Sequence, residues 1–300
     1  MKLSAISSHS IATFILSILT APSVIAQLES IPRDVLELRP GGYAYADYPG
    51  VFDNANRGGI TIEAWIYLTG KPKDANYDDI DVGGQWVIFA KPGSYSADLR
   101  GRNLGSKFDM EEPDGTVRLR YTVSEHPLRG FNDPGAISMP LQPHEYPLRR
   151  WVHIAYQIKQ EKNKTKELLF YDSRALGKAG SGDAMGRTPS PFVIGGAPIV
   201  KFKEGVQWGH RHESMRGYID GVRVSRGFRY ELKRNIHPQR RFEVDVWTIA
   251  LWRFAEGPGA AAYRDSSGNG YTLAAGGSLS VHPRDKVATT WGSIKCRAQF

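Results

Sequence analysis

The chain has 300 residues, a formal net charge of +8 and a single cysteine. With one cysteine no disulfide can form within the chain, which excludes a small disulfide-stapled scaffold and leaves packing to hold the fold. The moderately basic balance favours anionic partners such as uronic or sulfated polysaccharides. A solubilising surface charge is the alternative interpretation.

The N-terminal segment has the pattern of a secretory signal peptide. Lys2 precedes the apolar run Ile11–Leu19, and small residues at Val24 and Ala26 follow Pro22. The run is far shorter than the ~20 residues of a membrane-spanning helix. We therefore predict a signal peptide over residues 1–26 and a secreted or periplasmic protein; a buried N-terminal helix or membrane anchor is the alternative. Removal of Lys2 lowers the net charge from +8 to +7.

Alternation of apolar and polar residues predicts β-strands along the first half of the mature chain. Ile60–Leu68 places its isoleucines and Leu68 on one face, and Trp65 and Tyr67 make the other face partly apolar, so we expect that face to be covered. Three further segments read as strands: Val35–Arg39, Tyr43–Tyr48 and Gln85–Lys91.

The second half continues the same pattern. Arg150–Lys159 alternates Val152, Ile154, Tyr156 and Ile158 with a second face, and turn-rich segments separate it from its neighbours. Many short strands without amphipathic helices between them predict an all-β, two-sheet antiparallel sandwich or jelly roll. The other predicted strands here are Thr116–Val123, Glu167–Asp172, Phe192–Gly195, Gly217–Ser225 and Val244–Phe254.

Seven segments of the chain, taken in order, are the basis for a comparison of fold: Val35–Gly50, Ile60–Leu68, Gln85–Tyr95, Arg150–Lys159, Glu167–Gly180, Phe192–Pro198 and Arg216–Tyr230. Together they resemble laminin-G-like domains of the concanavalin A-like lectin/glucanase superfamily. The resemblance implies a single jelly-roll domain over residues 27–245, with residues 246–300 as a closing strand or hairpin and a C-terminal tail. Ala250–Gly277 looks like a unit that flanks such domains in bacterial surface proteins.

An enzyme of this superfamily would need two carboxylates projecting into one cleft. Glu243 and Asp245 begin the pattern found in related glucanases, but the second acid is replaced by Trp247, or by Thr248 if a bulge intervenes. We therefore expect no catalytic pair on this segment. An acid pair from separate loops, drawn from Glu111, Glu112, Asp114 and Glu145, is the rival hypothesis of a polysaccharide-active enzyme, a glycoside hydrolase or lyase.

An acidic loop precedes the fourth predicted strand. Calcium prefers six to eight oxygen ligands from such a loop, and laminin-G-like domains often bind one calcium at a loop rim. A solvated acidic loop is the alternative, and Asp220 is interpreted as structural. The candidate calcium ligands are Asp74, Asn76, Asp78, Asp79 and Asp81.

A loop near the end of the domain combines an aromatic ring with cations and imidazoles. Aromatic faces stack on sugar rings, and cations suit acidic saccharides. An aromatic that plugs the end of the sandwich is the alternative. The candidate ligand-binding residues are Trp208, Lys201, Lys203, His210, Arg211 and His212.

These features favour a secreted, non-catalytic binding or adhesion module for polysaccharide or a cell-surface glycan or protein. A structural matrix or surface component is the other alternative. Nucleic acid is a poor fit, because no recognition motif accompanies the basic charge. Cys296 reads as an idle thiol in the tail, and Asn163 begins a glycosylation sequon that matters only in a eukaryotic source.

Overall fold

The computed structural model describes residues 30–39, 41–47, 58–70, 86–91, 103–111, 116–124, 137–142, 144–161, 164–172, 174–181, 191–196, 200–201, 207–208, 213–232 and 236–277. This part of the chain holds strands and no helix. The strands are β1 (Leu36–Leu38), β2 (Gly42–Ala46), β3 (Ile60–Leu68), β4 (Trp86–Lys91), β5 (Asn103–Glu111), β6 (Thr116–Ser124), β7 (Ile137–Leu141), β8 (Trp151–Glu161), β9 (Lys164–Tyr171), β10 (Arg174–Ser181), β11 (Phe192–Ile194), β12 (Val200–Lys201), β13 (Gln207–Trp208), β14 (Glu213–Ser214), β15 (Gly217–Arg226), β16 (Thr248–Trp252), β17 (Ala262–Tyr263) and β18 (Leu273–Gly277).

Two large sheets form the sandwich. Sheet 1 has seven strands in the order β1-β15-β3-β8-β9-β10, and β16 pairs with β15 beyond the end of β1. Sheet 2 has nine strands in the order β17-β18-β2-β11-β4-β5-β6-β7, and β14 pairs with β4. The pairings are antiparallel except that of β14 with β4, which is parallel. The predicted two-sheet antiparallel jelly roll is confirmed.

One apolar core lies between the sheets. Sheet 1 contributes the inward members of its alternating strands, among them Ile66, Ile154 and Val222, all at most 1% exposed. Across the core, Phe192 of sheet 2 stacks on Trp252 with ring centroids 5.7 Å apart. The indole N–H of Trp252 donates to the Tyr271 carbonyl at 2.6 Å, so the largest core side chain leaves no polar atom unsatisfied.

A bulge in β15 decides which of its side chains face outward. The register against β3 shifts between Asp220 and Val222, and Gly221 at φ 78° occupies the extra position. A bulge inserts one residue into the alternation. Tyr218 and Asp220 before it, and Arg223 after it, consequently lie on the same outer face of sheet 1. A side chain at Gly221 would also meet the Phe242 ring, at 3.3 Å from its Cβ.

The segment after residue 245 completes both sheets. β16 extends sheet 1, and β18 pairs with β2 in sheet 2, with Gly277 opposite Gly42. Between them, the Asp265 carboxylate accepts bonds from the backbone N–H groups of Leu251, Ser267 and Tyr271 at 3.0, 2.8 and 3.1 Å. These bonds tie the loop between β17 and β18 to β16.

The predicted strands agree with the structure closely in the centre of the sheets and less at the edges. Ile60–Leu68 coincides with β3, and Arg150–Lys159 lies within one residue of the start of β8. The strand predicted over Val244–Phe254 begins only at Thr248. β5, β7, β10 and the short strands β12 to β14 were not predicted as separate strands. The predicted signal peptide and Cys296 lie outside the described residues.

Candidate functional site

The outer face of sheet 1 carries four successive rows of side chains across β1, β15, β3 and β8. The register of the strands defines the rows. From one end of the sheet to the other they are Glu37–Tyr218–Tyr67–Trp151, Asp220–Trp65–His153, Arg223–Glu63–Ala155 and Ser225–Thr61–Gln157. Most of these side chains are polar or aromatic, yet many are buried, because a later part of the chain crosses this face.

That later part, residues 227–232 and 236–247, is called the covering segment here. Two polar side chains of sheet 1 fasten its start. The Gln157 amide oxygen accepts the backbone N–H groups of Arg229 and Tyr230 at 2.7 and 2.8 Å, and its nitrogen donates to the Tyr230 carbonyl at 2.9 Å. The Thr61 hydroxyl donates to the Gly227 carbonyl at 2.7 Å. These side chains give the covering segment the hydrogen bonds that a neighbouring strand would give.

Beneath the covering segment lies a buried charge cluster centred on Glu63. Its carboxylate accepts from Arg223 Nε at 2.8 Å, from His153 Nε2 at 3.0 Å and from the Tyr230 hydroxyl at 2.5 Å. Glu63 and His153 are fully buried and Arg223 is 4% exposed. Arg229 Nε lies 3.7 Å from the same carboxylate. A buried carboxylate needs several such partners, because water no longer solvates it.

The cluster keeps Glu63 ionised. Burial alone would raise its pKa, but hydrogen bonds and charges from His153, Arg223 and Tyr230 outweigh burial and lower the pKa. Burial and the neighbouring Glu63 carboxylate raise the pKa of the Tyr230 hydroxyl. Glu63 and His153 have no exposed surface beneath the covering segment. The cluster therefore attaches the covering segment to the sheet.

The first row lies at the opposite end of the sheet and is aromatic. Tyr67 packs against Trp151 and Tyr218, with ring centroids 5.4 and 6.0 Å apart. The Arg240 guanidinium lies over the rings of Trp65 and Trp151, 4.9 and 4.6 Å from their centroids, and pairs with Asp220. Tyr67 is 6% exposed, so the expected coverage of this face is confirmed.

A cleft of about 190 Å³ opens beside this aromatic row. It lies where β1, β3 and β15 end together, at the rim called the cleft rim here. Its chemistry is mixed: an aromatic ring, a hydroxyl, one carboxylate and two guanidinium groups. Arg39 donates to Glu37 at 2.7 and 2.9 Å. Burial, followed by the Glu37 charge, raises the pKa of Tyr218, so its hydroxyl stays protonated. The lining residues are Glu37, Leu38, Arg39, Thr69, Arg216, Gly217 and Tyr218.

The structure places two of the predicted ligand-binding residues in one hairpin. β12 pairs with β13, which brings Lys201 opposite Gln207 and Trp208 opposite Val200. Lys203, His210, Arg211 and His212 lie outside the described residues. At the base of this loop, Met215 N donates to the Gly195 carbonyl at 3.0 Å. A Cβ at Gly195 would meet the Leu38 side chain at 2.4 Å, so the base of the loop lies directly behind the cleft.

The predicted calcium ligands Asp74, Asn76, Asp78, Asp79 and Asp81 also lie outside the described residues. The chain leaves the described part at Gly70, next to the cleft residue Thr69, and re-enters it at Trp86, which pairs with Glu213. Both stretches that carry predicted site residues thus have an end at or near the cleft rim. Within the described ranges, no three His, Cys, Asp or Glu side chains are grouped closely enough to hold a metal ion.

Two of the acids considered for catalysis, Asp245 and Glu145, have structural partners. Asp245 accepts from Arg229 Nη2 at 2.7 and 2.8 Å and from the Thr248 hydroxyl at 2.9 Å. Hydrogen bonds from Arg229 above all lower its pKa to about 2. Glu145 accepts from Gln142 N at 2.7 Å and pairs with Arg174, and these contacts lower its pKa too. Neither group can hold the proton that a general acid must donate.

Sequence reasoning identified neither the cluster nor the cleft. Alternation placed His153 and Gln157 on the outer face of β8, but it did not show that Glu63 and Arg223 meet there beneath a later segment. One feature of the sequence could have revealed the cluster. Glu63 is a charged residue in a strand that is apolar on both faces, since Ile62 and Ala64 flank it and Trp65 follows. Such a residue must be paired if the strand is buried.

The chain resembles solved structures at low sequence identity. The heptameric SAP-like pentraxin from Limulus polyphemus matches 65% of this chain and 77% of its own, with 14% identity and a TM-score of 0.38. Domains LG4-5 of the mouse laminin α1 chain match 67% of this chain and 44% of their own, with 18% identity and a TM-score of 0.36. The chain thus spans less than half of that laminin fragment.

A third match is the CBM40 of a Ruminococcus gnavus IT-sialidase, solved with α2,6 sialyllactose. It covers 62% of this chain and 89% of its own, with 14% identity and a TM-score of 0.31. A scan against protein-family models and a search of curated proteins found no match. The two-sheet antiparallel fold itself is defined by the order and register of the strands. No helix in the described ranges is long and apolar enough to cross a membrane.

Proposed function

We propose that this chain is an extracellular, non-catalytic binding module whose ligand is an acidic polysaccharide. The observation that carries the proposal is the cleft beside Tyr218, which combines an aromatic ring with the guanidinium groups of Arg39 and Arg216. Binding sites for sugars pair a ring face with a few fixed polar groups. Arg39 and Arg216 both line the cleft, and guanidinium groups suit a uronate or sulfate group.

The size of the cleft supports one sugar unit of a longer chain. Its volume of about 190 Å³ lies below the ~300–1,000 Å³ of sites that enclose a drug-sized molecule. A polymer would place one residue in the cleft and continue along the rim. Trp208 and Lys201 then extend the site, because the loop that carries them is closed at Gly195 and Met215, behind the cleft. Lys203, His210, Arg211 and His212 complete the proposed contact surface.

Calcium has a separate place in the proposal. Asp74, Asn76, Asp78, Asp79 and Asp81 supply oxygen ligands for one ion, which would bridge to a uronate or sulfate. A solvated acidic loop remains the alternative, and the two differ in one measurement. Polysaccharide binding that survives chelation by EDTA assigns recognition to the aromatic and basic residues alone. Binding lost with EDTA and restored by calcium assigns the acidic loop to the site.

The test is a binding titration with alginate, a sulfated galactan and a neutral β-glucan. Tyr218→Ala is expected to weaken binding of the acidic polymers by roughly fivefold, since an aromatic–sugar contact contributes about 1 kcal/mol. Tyr45→Ala is the matched control, because Tyr45 is also a half-buried strand tyrosine but lies on sheet 2. Trp208→Ala tests the hairpin in the same way. Equal affinity for β-glucan and alginate contradicts the acidic ligand.

The same mixtures of protein and polymer also test the rival hypothesis that the protein is a polysaccharide-active enzyme. We expect no release of reducing ends and no unsaturated product from any of the polymers. Polymer cleavage that follows the purified protein would overturn the non-catalytic part of the proposal, and binding unaffected by both Tyr218→Ala and Trp208→Ala would overturn the site. A protein that binds none of the polymers leaves the structural matrix role as the better hypothesis.

A further inference from the structure

Exposed apolar side chains gather at the rim of sheet 1 opposite the cleft. Val246 is 88% exposed, Trp247 58% and Val244 44%. The turn that displays them is rigid: Trp247 N donates to Asp245 Oδ1 at 3.0 Å, and Thr248 N donates to the Asp245 carbonyl at 3.0 Å. Arg229 holds the Asp245 carboxylate from the other side. These bonds fix the backbone of the turn, and its apolar side chains are exposed to water.

Basic side chains lie at the same end of sheet 1 as this turn. Arg226 N donates to the Trp247 carbonyl at 2.8 Å, which fixes the turn at the end of β15. Farther across the sheet, on β8 and β9, Lys159 pairs in register with Lys166, and Lys166 Nζ lies 5.8 Å from the ring centroid of Phe228. Arg226 and Lys166 are exposed. Among the acids at this end, Asp245 is paired with Arg229 and Glu167 is buried, whereas Glu243 is exposed beside Val244.

We propose that this rim docks onto an anionic lipid surface, with Val246 and Trp247 inserted at the level of the headgroups. Tryptophan is enriched at membrane–water interfaces, and basic residues near the surface add attraction to anionic lipids. A basic rim with a protruding apolar tip matches that surface in charge and in polarity. Val244 extends the apolar contact along the covering segment.

Two other occupants fit the turn less well. A stable protein interface buries about 800 Å² per partner, and three apolar side chains on a convex turn do not present that area. A sugar ring needs a flat aromatic face bordered by hydrogen-bonding groups. Here the most exposed side chain beside the indole is Val246, which offers no such group. A lipid surface is fluid, so a protruding apolar turn can insert into it without a pocket of matching shape.

The placement has a geometric consequence. Tyr218 and Arg226 lie eight residues apart on β15, which spans about 26 Å at ~3.3 Å per residue. The cleft and the apolar turn are therefore at opposite ends of one strand. Docking through the turn leaves the cleft facing away from the lipid, where a polymer can reach it. The inference stands without the proposed polysaccharide, because the two ends share no residue.

The test is co-sedimentation of the full chain with phosphatidylcholine vesicles, with and without phosphatidylglycerol. The double variant V246S/W247S is expected to lower the affinity for the anionic vesicles by roughly tenfold or more, through loss of apolar contact. L176S is the matched control, because Leu176 is an exposed apolar residue on an edge strand. The apolar segment Ile11–Leu19 can itself associate with lipid, so the readout is the difference between variants.

A second pair of variants separates the charge contribution. K166Q/R226Q is expected to weaken binding to anionic vesicles and to reduce its dependence on salt, with little effect on neutral vesicles. Thermal unfolding of each variant establishes that the fold is kept. The proposal is overturned if the unmodified chain ignores anionic vesicles, or if V246S/W247S binds them as well as L176S does. Loss of a protein partner in V246S/W247S with unchanged vesicle binding also overturns it.

Discussion

The two faces of sheet 1 are buried by different means. The inner face packs apolar side chains such as Ile66 and Ile154 against sheet 2. The outer face buries Glu63, His153 and Arg223 beneath a segment that has no regular structure over most of its length. An apolar face is satisfied by any well-packed partner, whereas a buried carboxylate requires donors at fixed positions. The outer face therefore specifies which segment covers it and in what position.

Removal of the Glu63 charge should produce the largest loss of stability among the variants that compare the two faces. Glu63→Gln leaves Arg223 buried without its carboxylate, and we expect the free energy of unfolding to fall by about 3–5 kcal/mol. Chemical denaturation monitored by fluorescence measures the change. Glu37→Gln is the control, because it breaks the exposed pair with Arg39 and should cost no more than about 1 kcal/mol. Equal losses in the two variants would show that the cluster is no more important than a surface pair.

On the inner face a small deletion should have a smaller, less specific cost. Ile154→Val removes one methylene from the core beside Ala64, and we expect a loss of about 0.5–1.5 kcal/mol. Limited proteolysis should then cleave the covering segment no faster than in the parent chain, whereas Glu63→Gln should accelerate its cleavage. Faster cleavage in Ile154→Val would mean that the two faces are not independent.

A substitution of Arg240 tests the end of the outer face that carries the aromatic row. Its guanidinium lies over Trp65 and Trp151, so Arg240→Gln should lower the free energy of unfolding by about 1 kcal/mol. Burial raises the pKa of Asp220 even with Arg240 beside it, and removal of the cation should raise that pKa further. NMR titration of the Asp220 carboxyl resonance provides the check. An unchanged pKa would show that the pair at 2.5 Å is not formed in solution.

The smallest expected effect is the dependence of stability on pH that Asp245 contributes under acidic conditions. Asp245 has its pKa lowered to about 2 from the ordinary 3.8, chiefly by hydrogen bonds from Arg229, so the unfolded chain takes up this proton at higher pH than the folded chain. Its stabilising contribution is complete above about pH 4 and disappears as pH falls through about 2. Denaturation midpoints of the parent and Asp245→Asn should therefore converge over that interval. A difference that stays constant with pH would contradict the assignment.

The central strands were predictable, whereas the partners of their outer side chains were not. Ile60–Leu68 shows its inner face directly, because every second residue is apolar. The sequence RALGKAGS has no local pattern that predicts a strand. It forms β10 because it pairs with β9 at the edge of the sheet. The strand expected from Val244 starts four residues later, since Asp245 and Thr248 bond to each other's backbone and side chain and form a turn instead.

The candidate site shows the same limit. Aromatic and basic residues near Trp208 were recognised from composition, but the cleft combines Arg39, Thr69 and Tyr218 from three distant parts of the chain. Periodicity fixes the face on which Tyr218 lies only once the bulge at Gly221 is known. Strand order brings β1, β3 and β15 to one rim, and order of this kind depends on pairings across more than a hundred residues that local patterns do not encode.

The pairing of β2 with β18 also constrains how the molecule is made. Gly42 meets Gly277, more than two hundred positions later, and the other partner of β2 is β11. At roughly 5–20 residues per second, a ribosome needs on the order of 10–50 s between these two strands. During that interval β2 has an unpaired edge, and the sandwich cannot close. The early strands of the nascent chain therefore expose unpaired edges until the late strands are made, and pairing across so long a separation is slow.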